Sequence, residues 1–208
     1  MERFERISED IRSALEVRNQ ERDWALAQAR VLTRTSATTT RAVHRGEVEA
    51  ARGLLDDAHG LVLSLQERLA SLPDLYYAGY VQDAIKEYVE ATLTFCVIGK
   101  LDLPLPQELN VPEITYLNGM AEVSGELRRR ILDILRQGYS PEAERLLGVM
   151  DDIYGLLITL DYPDALTNGL RRQTDMVRGI LERTRADLTL SVREQRLQDA
   201  LSSLDEHT

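Results

Sequence analysis

Two acidic patterns in this 208-residue chain have spacing that could do chemistry. Glu87 and Glu90 lie at i, i+3, and Glu122 and Glu126 at i, i+4; on a helix each pair shares one face. Asp83 sits one turn before Glu87. Like charges so placed cost roughly 0.2–0.5 kcal/mol per pair on an isolated helix. Two helices that bring both pairs together would offer four carboxylates, which suits a hard cation such as Mg²⁺ or Mn²⁺. Such an ion offsets the repulsion, activates water and stabilises charge at a phosphodiester. The competing reading is a solvated acidic face, with Glu126 paired to an arginine among Arg128–Arg130.

A second constellation is basic. No acidic residue occurs from Trp24 to Arg45, and Arg30, Arg34, Arg41, His44 and Arg45 fall within that stretch. At ~100° per residue the four arginines lie within about 60° of one another, on a stripe rising over ~22 Å of helix. Thr33, Thr35, Thr38, Thr39 and Thr40 lie among them as neutral donors. Such a stripe could track a phosphate backbone, with salt-sensitive binding. It could equally pair with acids on neighbouring helices. His44 is the histidine placed to contact a phosphate; His59 reads as a surface or interface residue.

The elements that must position these groups read as helices throughout. All six prolines fall between periodic segments or at their first turns, and no alternating β-branched run appears. The spacing predicts helices over about 7–44, 48–72, 74–99, 112–138, 140–161 and 163–190, with a shorter amphipathic tail to about Leu204. Ser140-Pro141-Glu142 reads as an N-cap followed by a first-turn proline. Residues 101–111, with two prolines, read as a loop. The expectation is one all-α domain over 1–208, a bundle of about seven helices with 189–208 as its helical tail. Helices this long call for neighbours along their length, hence for oligomers. Tyr76, Tyr77, Tyr80 and Tyr88 read as core or interface packing rather than base stacking, and Cys96 as a small buried hydrophobe.

Composition bounds the rest. A net charge of −10 argues at first against a nucleic-acid binder. The sum hides a polarised chain: residues 1–45 carry nine basic and seven acidic residues, and the remainder is net −12. The low total therefore permits RNA binding on one face. With 5% aromatic residues the core must be aliphatic. A single cysteine and three scattered histidines exclude a disulfide framework and a cysteine–histidine zinc cluster. No signal peptide or membrane span is visible, so a cytoplasmic location is expected. Arginine outnumbers lysine 23 to 2.

The acidic segments also resemble a known family. Glu87-Tyr88-Val89-Glu90-Ala91 is similar to the EYVEA segment of TRAX, the translin-associated factor X. Tyr116-Leu117-Asn118-Gly119-Met120-Ala121-Glu122-Val123-Ser124-Gly125-Glu126-Leu127 resembles that family's YLLGVADLTGEL stretch. Ala42-Val43-His44-Arg45 resembles its LLHR sequence, and Tyr162-Pro163 onward is similar to its last core helix. Together the ordered set covers most of the chain and is similar to the translin/TRAX superfamily in a compact microbial form.

The resemblance implies seven helices per subunit and a hollow homo-oligomer, commonly an octamer. It implies Mg²⁺-dependent endoribonuclease cleavage of single-stranded RNA, with Glu87, Glu90, Glu122 and Glu126 as metal ligands and catalytic residues. Glu122 departs from the family's aspartate; the extra methylene keeps the charge and moves the oxygens by roughly a bond length. The basic surface maps onto Arg30, Arg34, Arg41, His44 and Arg45. The alternative is a non-catalytic scaffold of the translin type that binds single-stranded RNA or DNA. A further alternative is a helical oligomeric interaction protein whose acids are merely solvated.

Overall fold

A computed structural model describes residues 2–205; His207 lies outside them. The described residues form eight helices and no strand. They are α1 (Glu2–Arg45), α2 (Val48–Arg68), α3 (Pro73–Tyr76), α4 (Gly79–Gly99), α5 (Glu113–Leu135), α6 (Pro141–Leu157), α7 (Asp164–Thr167) and α8 (Leu170–Asp205). Six are long, and α3 and α7 are single turns.

The differences from the sequence expectation occur at the punctuation. Pro73 opens a separate turn, α3, rather than the long helix itself. Asn168 and Gly169, both at positive φ, close α7 and set the true start of α8. The tail from about residue 189 is not a separate helix but the continuation of α8. No glycine or proline interrupts residues 180–205, so nothing local ends the helix there.

Helix α1 is 44 residues long because no proline or glycine breaks it before Gly46. Gly46 adopts φ 75°, and the amides of Gly46 and Glu47 donate to the carbonyls of Val43 and Ala42. Within the helix the hydroxyls of Ser36, Thr38, Thr39 and Thr40 donate to carbonyls one turn back at 2.8–3.2 Å. Those three threonines are therefore not free donors for a ligand, contrary to the sequence expectation. Ser140 caps α6 as expected, its side chain accepting from the Glu142 amide at 3.2 Å.

Helices α4 and α5 form the centre. Helix α4 packs against α1, α2 and α5, and α5 packs against α4, α6 and α8. More than half of α4 is buried, including Val81, Ile85, Tyr88, Val89, Leu93 and Val97. The core is aliphatic, built on Leu32, Leu65, Ile85, Leu127, Ile131, Leu146 and Met150. Tyr88 is buried and bonded to His59 at 2.9 Å, while Tyr77 is exposed. Cys96 is buried, which pushes its thiol pKa up.

The long connection from Lys100 to Pro112 lets α5 run in the same direction as α4. Gln82 meets Thr115 near the start of both helices, and Lys86 meets Glu122 one to two turns further along. Thirteen residues reach at most ~45 Å, enough to return along a helix of 21 residues, ~32 Å long. Tyr116 ties the loop down by donating from its hydroxyl to the Pro104 carbonyl at 2.8 Å.

Close approach of the two helices depends on Gly119. A Cβ there would sit 2.8 Å from the Val89 Cβ and 2.9 Å from the Lys86 carbonyl oxygen. The glycine is thus required where α5 crosses the acidic stretch of α4.

Candidate functional site

At that crossing Glu87 and Glu90 of α4 meet Glu122 of α5. One carboxylate oxygen from each lies within 4.8 Å of the others. Three carboxyl groups gather because the backbones are held close by Gly119 and the flanking side chains Val89, Ala121 and Val123 are buried. Among the described residues Glu87 and Glu90 have no hydrogen-bond or ion-pair partner. Burial, then the charges of Glu122, Glu87 and Glu126, push Glu90 up to about 8. Glu87 is raised as well, first by burial and then by Glu122.

Unpaired, half-buried carboxylates with this spacing are the donor chemistry that Mg²⁺ or Mn²⁺ takes. A cation between them would offset the burial and the repulsion that raise Glu87 and Glu90. The residues present therefore fit such an ion, with Glu87, Glu90 and Glu122 able to hold it.

Glu126, the fourth expected ligand, lies beside this trio and faces elsewhere. Its Oε2 is 2.5 Å from His44 Nε2 and 3.6 Å from an Arg129 nitrogen. The His44 hydrogen bond is the main cause that lowers its pKa. His44, expected to contact a phosphate, has a side chain that is 5% exposed and bonded to Glu126. The reason is packing, since His44 sits on the flank of α1 next to buried Val43 and turns inward towards α5. Its Nδ1 is buried without a partner.

The arginines occupy a different face. Arg30, Arg34, Arg41 and Arg45 are all exposed. They stand roughly 160° around α1 from Ala25, Ala29, Leu32 and Val43, which face the core. Arg30, Arg34 and Arg41 have no acidic partner among the described residues; Arg41 donates to Thr38 Oγ1 at 3.0 Å. Arg45 is held by Glu47 through two bonds of 2.7 Å.

Sequence reasoning missed two residues here. Lys86 donates from Nζ to Glu122 Oε1 at 2.7 Å. Its signal was its rarity, one of two lysines among 25 basic residues. Gly119 was the other, and a glycine inside a helical pattern is a recognised sign of close packing.

These features define a class: an all-α protein whose two parallel central helices bear a carboxylate cluster, with a basic stripe on a long outer helix. No protein-family model matches the chain. An uncharacterised protein of Methanocaldococcus jannaschii is 31% identical over 182 residues, spanning 86% of this chain and 80% of that protein. The crystal structure of AfC3PO superposes with TM-score 0.82 at 33% identity, covering 91% of this chain and 98% of that one. AfC3PO in complex with duplex RNA gives TM-score 0.81 at 33% identity, covering 91% and 97%. Apo-NeC3PO shares the fold, with TM-score 0.79 at 20% identity over 88% and 96%. The chain belongs to the C3PO/translin family.

Proposed function

We propose that this protein is a metal-dependent endoribonuclease that cleaves single-stranded RNA. Glu87, Glu90 and Glu122 hold Mg²⁺ or Mn²⁺, and Glu126 stands beside them as the fourth carboxylate. The observation that carries the reading is the convergence of three carboxylates within 4.8 Å, two of them without a hydrogen-bond or ion-pair partner among the described residues. Bound there, a divalent cation supplies an activated water and charge stabilisation at the phosphodiester. The chain's own residues do the rest. His44 and Arg129 fix Glu126 at the edge of the cluster. Arg30, Arg34 and Arg41 hold the backbone without reading sequence. Support for RNA as the ligand comes from the family and from the AfC3PO complex with duplex RNA.

The test is cleavage of labelled single-stranded RNA, duplex RNA and single-stranded DNA, with Mg²⁺ and with EDTA. Mg²⁺-dependent cutting of the single-stranded RNA, lost in Glu90→Gln/Glu122→Gln, is expected. Cleavage that persists in the double variant, or in EDTA, would overturn the assignment.

A second reading is a non-catalytic scaffold binding single-stranded RNA or DNA. What favours it is that Glu122 and Glu126 already have partners, Lys86 and His44. It predicts salt-dependent binding with no turnover in any divalent ion.

Either reading carries a homo-oligomer, which we propose to be a hollow octamer in the cytoplasm. Its support is unpartnered apolar surface on the longest helix: Phe4, Ile7, Ile11 and Leu15 of α1 share one stripe and are 46–80% exposed. No described helix is long and apolar enough to cross a membrane. Light scattering should give a multiple of the 23.6 kDa chain mass; a monomer at micromolar concentration would exclude the assembly.

A further inference from the structure

The carboxylate cluster contains a cation of its own. Lys86 Nζ lies 2.7 Å from Glu122 Oε1, with side chains only 19% and 22% exposed. Burial pulls the ammonium down, but the hydrogen bond and charge of Glu122, with Glu87 and Asp83 nearby, hold it above its ordinary value. The groups facing Lys86 are thus Glu122 from α5, and Asp83, Glu87 and Glu90 from its own helix. The Lys86 backbone is fixed too, because its carbonyl is the atom packed against Gly119.

The charges decide how many metal ions fit. With all three ionised, as binding a metal requires, Glu87, Glu90 and Glu122 bring −3, and Lys86 returns +1. Glu126 is offset separately by Arg129 and by its bond to His44. The remaining −2 matches one divalent cation. A second would leave the half-buried centre at +2, which desolvation opposes. The residue type agrees with this role. Among 25 basic residues only two are lysine, and one stands here. An ammonium is a compact point charge, closer to a metal ion in shape than the planar guanidinium fork used elsewhere in the chain.

We propose that Lys86 takes the place of a second cation in the carboxylate cluster and limits it to a single divalent ion. This rests on the metal reading of the cluster. Glu122 is then shared between the ammonium and the metal, so Lys86 also sets the affinity for that ion. Removing the ammonium should open room and charge for a second ion and tighten the first.

The test is Mn²⁺ titration of the full-length protein by calorimetry and electron paramagnetic resonance. Wild type should bind one Mn²⁺ per chain at this site, with the six-line signal of an isolated ion, and Glu90→Gln should abolish that binding. Lys86→Met and Lys86→Gln should bind two, with a broadened, spin-coupled signal and a first ion held at least about tenfold tighter. Lys86→Arg, which keeps the charge, should stay at one. Circular dichroism on each variant verifies the fold, and two neutral replacements guard against failure of either. If wild type binds no Mn²⁺ that Glu90→Gln removes, the metal reading falls and this inference with it. If wild type binds one such ion and neither neutral variant alters stoichiometry or affinity, Lys86 alone is wrongly assigned. Two ions in wild type would also overturn it.

Discussion

The two charged regions of this protein are built on opposite logic. The arginine stripe belongs to one helix: four exposed side chains spaced by helical periodicity, three of them without acidic partners among the described residues. The carboxylate cluster belongs to no single helix. It exists only where α4 and α5 cross, and its members are half-buried and crowded together, with Glu87 and Glu90 raised in pKa by burial and by their neighbours' charge. A surface stripe fails one residue at a time, because exposed charges add nearly independently. A buried cluster fails as a unit, because each member's state depends on its neighbours.

The sharpest way to separate them is through glycine. Gly119 and Gly125 lie on the same helix, but a Cβ at Gly125 meets nothing within 4 Å. Replacing an interior helical glycine by alanine gains ~1 kcal/mol of propensity. Gly125→Ala should therefore stabilise the protein by up to about that amount. At Gly119 the new methyl strikes the Lys86 carbonyl, which cannot move without bending α4, and overpacking of this kind costs ~1–3 kcal/mol. Gly119→Val should be destabilising by about 2 kcal/mol or more in urea unfolding and should spread the carboxylates enough to lose Mn²⁺. RNA binding through the stripe should survive at temperatures where the variant is folded. Loss of both together would break the comparison.

The next effect is on pH. Glu90 ionises near 4.5 in the unfolded chain and at about 8 in the fold. A raised carboxyl pKa means that the folded state holds the proton more tightly, so its contribution is full below the unfolded value. Stability is then lost as pH rises towards 8. The metal-free protein should melt at progressively lower temperature from pH 5 to pH 8. Glu90→Gln should flatten that slope and be more stable than metal-free wild type at pH 8, while binding no Mn²⁺. Added Mn²⁺ should restore wild type at pH 8 and leave the variant unchanged. A wild-type melting temperature independent of pH in this window would show that the cluster is not under the strain its geometry implies.

Legibility in the sequence follows the same division. The all-α class and the long helices were readable because apolar spacing and proline placement are local signals. The stripe was readable for the same reason, with its exposure left to the fold. The pairing of Glu87 and Glu90 with Glu122 was suggested by spacing and carried by the family resemblance; no property of either helix alone dictates that they cross there. The contact between Glu126 and His44 was not legible. Their mutual bond joins residues 82 positions apart, which no periodicity encodes. Lys86 was overlooked because its significance is a distance across two helices. Asn168 and Gly169, at positive φ, break the helix expected from Pro163 onward, and both are residue types that turns favour.

On the outer helix the expected effects are smaller and additive. Arg34→Glu/Arg41→Glu should weaken single-stranded RNA binding by roughly a hundredfold at low salt. The melting temperature should hardly change, since neither residue has an acidic partner among the described residues and Arg41 bonds only to Thr38 on its own helix. Unchanged affinity, measured by fluorescence anisotropy, would remove the stripe from the binding surface and leave the cluster as the only charged feature with a role.

The finest distinction lies within the stripe. Arg45 is already engaged by Glu47 through two 2.7 Å bonds, whereas Arg30 is unpaired among the described residues. A guanidinium committed to a carboxylate has less charge to offer a phosphate, and contacting RNA would first require that pair to open. Arg30→Ala should therefore lower the slope of log affinity against log salt by about 0.7, the value for one phosphate contact on a single strand. Arg45→Ala should change it by clearly less, and neither should shift the melting temperature measurably. If Glu47→Gln then raises RNA affinity in wild type but not in Arg45→Ala, the ion pair is what withholds Arg45. Equal slopes for the two single variants would mean that RNA displaces Glu47 at no cost, and the stripe would count four equivalent arginines instead of three.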